Sequence, residues 1–217
     1  MAIDVFKRLA ELKVIPVIVI DDAAAADPMG EALVAGGLPI AEVTFRTAAA
    51  EASIKALVKR GDIFVGAGTV LTVDHVKKAV DGGAHFIVTP GFSPKVVGYC
   101  IEQGIPITPG TVTATEIGMA HEFGLGIVKF FPAEAVGGLK TLKAVAAPYA
   151  MMKFIPTGGI SPENLGEYLK FGQVVACGGS WMVSKELLAK KQFDKVRDLA
   201  KQAVELANQA RPAGGHS

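Results

Sequence analysis

An eightfold alternation of apolar, β-branched runs with longer segments of helical period predicts an α/β fold, a single-domain (β/α)8 TIM barrel. Alternation of this kind implies parallel strands joined by right-handed crossovers. Eight units in 217 residues leave ~27 residues for each unit, as in a small barrel. The predicted strands are 14–20, 41–45, 63–69, 85–90, 105–110, 127–131, 153–158 and 174–180.

The ends of the predicted strands also favour a barrel. Five of the eight predicted strands end in Thr, Pro, Gly or Ser, and in a barrel the loops after the strands assemble the active site. A doubly wound open sheet is the alternative, but no G-x-G-x-x-G motif opens a helix after the first strand. We expect one barrel domain over residues 1–210 and a disordered tail over residues 211–217.

Several helix starts can be recognised in the sequence. Thr113 and Glu116 form a T-x-x-E capping box, and Ser93 and Ser161 each precede a proline, which suits an N-cap before proline at the first helical position. The last helix is predicted over residues 193–207.

Composition excludes several classes of protein. Half of the residues are hydrophobic, 20% are charged and the formal net charge is +1, which argues against disorder and against a nucleic-acid-binding surface. Prolines and glycines interrupt the uncharged stretch over residues 103–115, so it does not suit a membrane span. The amphipathic, partly acidic N-terminus lacks the pattern of a secretory signal. We therefore expect a cytoplasmic protein that binds neither nucleic acid nor membranes.

The cysteines and histidines predict no metal site. Cys100 and Cys177 lie in no C-x-x-C or Cys/His cluster, and we interpret both as buried reduced thiols. The four histidines form no H-E-x-x-H motif or other paired ligand spacing. We expect neither a metal nor an organic cofactor.

Lys129 stands alone among apolar residues in the predicted strand IVKFF. Burial disfavours the charged ammonium form of a lysine and favours the free amine that a Schiff base requires. The alternatives are a lysine paired with a buried carboxylate, or one whose ammonium group reaches the rim of the barrel. Spacing alone does not separate these interpretations.

The strand EVTFR carries three polar side chains at alternate positions, namely Glu42, Thr44 and Arg46. Buried polar groups must bind each other or a ligand. Arg46 suits a carboxylate of a ligand, and Glu42 suits proton transfer. The alternative is a Glu42–Arg46 pair that serves only the structure.

Glycine-rich segments end the last two predicted strands. Gly158 and Gly159 lie in PTGGIS, and Gly179 and Ser180 lie in CGGSW. Phosphate sites of TIM barrels frequently form from the loops after strands seven and eight, because glycines let backbone N–H groups approach the phosphate. Ordinary turns are the alternative for either segment alone.

The motifs EVTFR, GAGTV, TPGFS, VKFFPAE, PTGGIS and GGSWMV, in this order and spacing, resemble the 2-keto-3-deoxy-6-phosphogluconate (KDPG) aldolase family, also described as 4-hydroxy-2-oxoglutarate aldolases. The resemblance runs from about residue 14 to residue 183. It implies a TIM barrel that uses no metal and assembles as a homotrimer. The implied reaction cleaves the phosphorylated keto acid to pyruvate and glyceraldehyde 3-phosphate.

The resemblance also implies roles for individual residues. Lys129 would form the Schiff base, Glu42 would shuttle protons, and Arg46 with Thr69 would hold the carboxylate. The other residues that the resemblance and the glycine pattern place around the substrate are Pro90, Phe131, Thr157, Gly158, Gly159, Gly179 and Ser180.

Two further interpretations remain open at this point. The first is a phosphate-binding barrel isomerase or synthase that uses acid–base chemistry without an imine. The second is a non-catalytic barrel that binds a sugar phosphate. Covalent trapping with pyruvate distinguishes the first from an aldolase, and turnover distinguishes the second.

Overall fold

The computed structural model describes residues 4–211, and it contains nine short parallel strands. The fifth and sixth strands are two parts of one extended segment, separated only by Pro109. The nine strands therefore occupy eight positions around the sheet. The strands are β1 (Val14–Ile18), β2 (Ile40–Thr44), β3 (Phe64–Gly68), β4 (Phe86–Val88), β5 (Ile107–Thr108), β6 (Gly110–Thr111), β7 (Ile127–Phe130), β8 (Lys153–Pro156) and β9 (Cys177–Gly179).

These strands close into a barrel. Six of them pair in the order β5-β4-β3-β2-β1-β9, and three pair in the order β6-β7-β8. Parallel bridges from Phe154 to Val174 and from Thr157 to Gly178 join β8 to the segment that contains β9. The predicted (β/α)8 barrel is confirmed, and the open doubly wound sheet is wrong because an open sheet would leave its first and last strands apart.

Helices follow the strands in turn. Helix α1 precedes β1, and α9 and α10 come after β9. One α-helix follows each of the other seven strand positions, with β5 and β6 counted as one position. The helices are α1 (Val5–Leu12), α2 (Ala26–Ala35), α3 (Ala50–Arg60), α4 (Val73–Asp81), α5 (Pro94–Glu102), α6 (Ala114–Glu122), α7 (Gly138–Ala146), α8 (Leu165–Leu169), α9 (Lys185–Ala189) and α10 (Phe193–Ala210). No described helix is long and apolar enough to cross a membrane.

Two of the three predicted helix starts are confirmed. Ser93 caps α5 with a proline in its first turn, and Thr113 caps α6 through a reciprocal capping box with Glu116. The start at Ser161 is wrong, because α8 begins only at Leu165. The side chain of Asn164 accepts a hydrogen bond from the Ser161 N–H and donates one to the Gly159 carbonyl, which ties the segment into a turn.

The core is apolar and continuous from the barrel to the surrounding helices. Leu33, Ile54, Ile117 and Leu142 point inward from four different helices and are fully buried. Cys100 is a buried free thiol, as is the second cysteine, and burial raises the pKa of Cys100 to about 11. The interpretation of the cysteines as buried thiols is therefore confirmed.

Polar contacts hold the C-terminal end of α10 against the amino ends of the strands. The Arg211 guanidinium donates hydrogen bonds to the carbonyls of Val174 and Val175, at 2.7 and 2.6 Å. Lys13 Nζ donates to Asn208 Oδ1 at 2.8 Å and to the Arg211 carbonyl at 2.7 Å. Arg211 is thus docked on the barrel, and the remainder of the predicted disordered tail, residues 212–217, lies outside the described residues.

Candidate active site

Lys129 and Glu42 meet inside the barrel from two strands that do not pair with each other. Lys129 lies on β7 and Glu42 on β2, and Lys129 Nζ is 3.3 Å from Glu42 Oε1. Only 7% of the Lys129 side chain and 4% of the Glu42 side chain are exposed. Glu42 is therefore both the buried carboxylate that pairs with Lys129 and the residue that the sequence suggested for proton transfer.

Glu42 fits inside the barrel because β3 has no side chain at the point of contact. A Cβ built on Gly68 would collide with the Glu42 carboxylate. Glycine inside a strand often marks the close approach of another group. This role of Gly68 was not predicted from the sequence, although the small residues of the strand GAG were a signal for it.

The other two polar residues of EVTFR behave differently. Thr44 is buried, and its hydroxyl donates a 2.8 Å hydrogen bond to the Ile18 carbonyl of β1, so it helps to join two strands. Arg46 lies two residues beyond the end of β2 and is exposed. Among the described residues, the guanidinium of Arg46 has no hydrogen-bond or ion-pair partner. The alternative of a structural Glu42–Arg46 pair is wrong, because Glu42 pairs with Lys129.

A cavity of about 530 Å³ opens at the carboxyl ends of the strands. Phe131 lies on its wall, two residues after Lys129, and the Lys129 ammonium is 5.1 Å from the centre of the Phe131 ring. Four predicted site residues do not line this cavity, namely the buried Lys129 and Glu42 and the residues that follow β3 and β4, Thr69 and Pro90. The predicted site residues that do line it are Arg46, Phe131, Thr157, Gly158, Gly159, Gly179 and Ser180.

Two glycines and contacts with the segment after β7 set the conformation of the loop after β8. Gly158 and Gly159 have φ values of 96° and 80°, which residues with a Cβ rarely adopt. The Glu134 N–H donates to the Gly158 carbonyl at 3.0 Å, and a Cβ at Gly159 would lie 2.6 Å from the Glu134 side chain. The loop therefore presents backbone groups rather than side chains to the cavity.

Glu134 is itself held by the hydroxyl of Tyr168, a buried residue of α8, which donates a hydrogen bond to its carboxylate. Burial, and secondarily the neighbouring Glu134 carboxylate, raises the pKa of Tyr168. Neither residue was predicted from the sequence as a support of the glycine loop. The only signal was the presence of Glu134 in the KFFPAE motif, since Tyr168 is 34 residues away along the chain.

Thr69 has a strained backbone at the end of β3. Its φ of 53° lies in the left-handed region, which is unusual for a β-branched residue. Such a conformation costs ~1–3 kcal/mol and persists only where the surrounding structure enforces it, often at functional sites. Because it follows β3, Thr69 lies at the same end of the barrel as the cavity.

Acidic, cysteine and histidine side chains do not converge in the described part of the chain. Between residues 4 and 211, no group of three or more such side chains is arranged to hold a metal ion. His75 stacks on Phe45 at 5.1 Å between ring centres. Nδ1 of His85 lies 3.1 Å from the backbone nitrogen of Val65 and 3.2 Å from its carbonyl oxygen. Lys129 and Glu42 form the buried ion pair inside the barrel.

Comparison with known proteins places this geometry in a family. The family model described as KDPG and KHG aldolase matches residues 5–199. A 2-dehydro-3-deoxy-phosphogluconate aldolase of Treponema pallidum is 45% identical over 205 residues, which cover 94% of this chain and 98% of that protein.

Two solved structures share the fold closely. The KDPG aldolase of Legionella pneumophila, with pyruvate captured at low pH as a covalent carbinolamine intermediate, aligns with a TM-score of 0.88 and 36% identity over 91% of this chain and 97% of that chain. The 2-keto-3-deoxy-6-phosphogluconate aldolase of Zymomonas mobilis with 3-phosphoglycerate aligns with a TM-score of 0.87 and 38% identity, over 94% and 97% of the two chains. This chain therefore belongs to the KDPG and KHG aldolase family, whose members are carbon–carbon lyases.

Proposed function

We propose that this chain is a class I aldolase that cleaves 2-keto-3-deoxy-6-phosphogluconate to pyruvate and glyceraldehyde 3-phosphate. The observation that carries the proposal is the buried Lys129–Glu42 pair, 3.3 Å apart. A lysine amine inside the barrel can attack a ketone, and a carboxylate beside it can accept the proton that the reaction releases. The names of the relatives and the pyruvate adduct of the Legionella protein support the same chemistry.

The first stage of the proposed mechanism forms the covalent intermediate. Lys129 Nζ attacks the C2 ketone of the substrate, and loss of water gives an iminium ion. Arg46, whose guanidinium is unpaired among the described residues, holds the substrate carboxylate together with Thr69. Phe131, with its ring 5.1 Å from the Lys129 ammonium, supplies an apolar wall. Pro90 follows β4 at the same end of the barrel, and its proposed contact with the substrate lies outside the cavity.

The second stage breaks the carbon–carbon bond. Glu42, directly or through a water molecule, takes the proton of the C4 hydroxyl, and the electrons of the C3–C4 bond flow into the iminium to give an enamine. Glyceraldehyde 3-phosphate leaves, C3 is protonated, and hydrolysis releases pyruvate and regenerates Lys129. Backbone N–H groups of the loops after β8 and β9, at Gly158, Gly159 and Ser180, hold the phosphate. Thr157 and Gly179 line the cavity at the ends of the two strands, and the Thr157 N–H is already bound to the Phe130 carbonyl.

We further propose that the enzyme cleaves 4-hydroxy-2-oxoglutarate to pyruvate and glyoxylate. The reacting atoms are the same in both substrates, and the smaller one has no phosphate. The glycine loops would then contribute to binding of the phosphorylated substrate alone. A comparison of kcat/KM for the two substrates tests which one is preferred.

Reductive trapping separates this proposal from an isomerase or synthase that forms no imine. Incubation with pyruvate and borohydride should inactivate the enzyme and add one reduced pyruvyl group per chain. An enzyme that turns over substrate without such an adduct would be an acid–base enzyme instead. A chain that binds a sugar phosphate and neither turns over nor traps pyruvate would be a binding protein.

Family resemblance also leads us to propose a cytoplasmic homotrimer. Light scattering of the purified chain should give three times the mass of one subunit. A mass of one or two subunits would contradict the proposed assembly without bearing on the reaction.

A further inference from the structure

Lys185 brings a second positive charge to the wall of the cavity that contains Arg46 and the glycine loops. It begins α9 and lines the same cavity as Ser180 and Gly159. Arg46 and Lys185 are the charged residues of this wall, and no carboxylate of the described chain lines it. The charged lining of the cavity is therefore entirely cationic, which suits an anion.

The ammonium group of Lys185 is held loosely. Its Nζ lies 3.1 and 3.0 Å from the two carboxylate oxygens of Asp21. The two side chains are 57% and 64% exposed, so solvent screens the pair and it contributes little to stability. Lys185 also lines a neighbouring cavity of about 320 Å³, which contains Asp21, and so stands on the wall between the two cavities.

A phosphate dianion is a stronger partner for this ammonium than a solvated carboxylate. It carries more charge, and its other oxygens would already be held by the backbone N–H groups of the glycine loops, away from bulk water. Lysine binds phosphate well as a mobile point charge on a flexible stem. Rotation of the Lys185 side chain from Asp21 into the cavity would exchange the weaker contact for the stronger one.

We propose that Lys185 determines specificity for the phosphorylated substrate by binding its phosphate, and that Asp21 holds the ammonium at the rim while the cavity is empty. This inference rests on the proposed aldolase function, which it extends to the choice between two substrates. The substrate 4-hydroxy-2-oxoglutarate has no phosphate and would leave Lys185 paired with Asp21.

Substitution of Lys185 by methionine keeps the stem and removes the charge. Lys185→Met should raise KM for 2-keto-3-deoxy-6-phosphogluconate about tenfold, the loss expected for one charge-assisted contact. It should change kcat for that substrate, and kcat/KM for 4-hydroxy-2-oxoglutarate, far less. Inorganic phosphate should also become a weaker competitive inhibitor, by a similar factor.

Lys190 offers a matched control. It lies on the surface immediately after α9, pairs with Glu186 and lines neither cavity. Lys190→Met removes the same charge from the protein, so a distant electrostatic effect would appear in both variants. Asp21→Asn should lower KM for the phosphorylated substrate, because it frees Lys185.

The outcomes separate this inference from the proposed function. A wild-type enzyme that traps no pyruvate and cleaves neither keto acid would overturn the proposed function. A wild-type enzyme that cleaves both, with an unchanged KM in Lys185→Met, would overturn only the role of Lys185. Equal losses on both substrates, or equal losses in Lys190→Met, would also overturn that role.

Discussion

Replacement of Lys129 tests both the chemistry and the energetics of the buried pair. Lys129→Ala leaves the Glu42 carboxylate, 4% exposed, without its partner. Removal of one member of a buried ion pair costs ~3–5 kcal/mol. For a chain of this length, each kcal/mol shifts the melting temperature by about 2–4 °C, so we expect a fall of roughly 6–20 °C. If Lys129 were buried without a partner, the same substitution would instead raise the melting temperature.

Two companion variants isolate the cause of the instability. Lys129→Arg retains the positive charge and should lose far less stability than Lys129→Ala. The double variant Lys129→Met with Glu42→Gln removes both charges and should recover most of the loss, because a buried pair can often be replaced without net cost. Calorimetry or urea unfolding measures these differences. Equal stability of wild type and Lys129→Ala would refute the energetic argument.

Activity should be lost in both Lys129→Arg and Lys129→Ala, although the two variants should differ in stability. Neither arginine nor alanine can form the imine at this position, so both variants should lose at least ~10⁴-fold in kcat, as when a covalent nucleophile is removed. Pyruvate and borohydride should label the peptide that contains Lys129, and mass spectrometry would locate the adduct. Substantial cleavage by Lys129→Arg would refute the assignment.

Two other lysines are the critical controls for the labelling. Lys153 also lies on a strand, but its Nζ donates to the Gly172 carbonyl. Lys13 is buried before β1, and burial, with a smaller contribution from the Arg211 charge, lowers its pKa. Both lie at the amino ends of their strands, opposite the cavity. Lys153→Arg should be fully active, and a label on Lys13 or Lys153 would contradict the proposed nucleophile.

Four further predictions follow from the same geometry. Glu42→Gln should still trap pyruvate but slow carbon–carbon cleavage by ~10²–10⁴-fold in single-turnover assays, and a wild-type rate would place proton transfer elsewhere. Gly159→Leu or Ser180→Asp should raise KM for the phosphorylated substrate far more than for 4-hydroxy-2-oxoglutarate, and equal changes would exclude these loops as the phosphate site. Activity should survive EDTA, whereas full loss that a divalent metal restores would overturn the metal-free mechanism. Because the folded-state pKa of Lys13 is lowered, the unfolded chain holds more protons between that pKa and ~10.4, and stability rises with pH in this window. The free energy of unfolding of the wild type relative to Lys13→Met, measured in urea, should therefore be larger at pH 10 than at pH 7. An equal difference at the two pH values would contradict this.

Much of the fold was predictable because its signals are local. Hydrophobic periodicity showed eight strand–helix units, and the caps at Ser93 and Thr113 need only three neighbouring residues to form. Where a local signal failed, a contact outside it was responsible. Ser161 does not start a helix; instead, the Asn164 side chain binds the Ser161 N–H and the Gly159 carbonyl within the loop between β8 and α8.

The candidate site was predictable in its residues but not in its contacts. A charged residue in an apolar strand marked Lys129, and motif order marked most of the other positions. The sequence alone could not show that Lys129 meets Glu42, which lies 87 residues away. That contact depends on how β2 and β7 face each other across the closed barrel, and on the missing side chain of Gly68.

The sequence by itself determined the repeating architecture, the family and the chemical types at the site, because periodicity, turn residues and motif spacing are properties of the chain. Only the tertiary structure decided which polar groups compensate each other. Thr44 is bound to a neighbouring strand, Arg46 is left without a partner among the described residues, and Lys185 is brought to Asp21 across 164 residues. The closure of the barrel sets the buried pairings, since burial makes an unpaired polar group costly while local sequence places no constraint on which distant group will meet it.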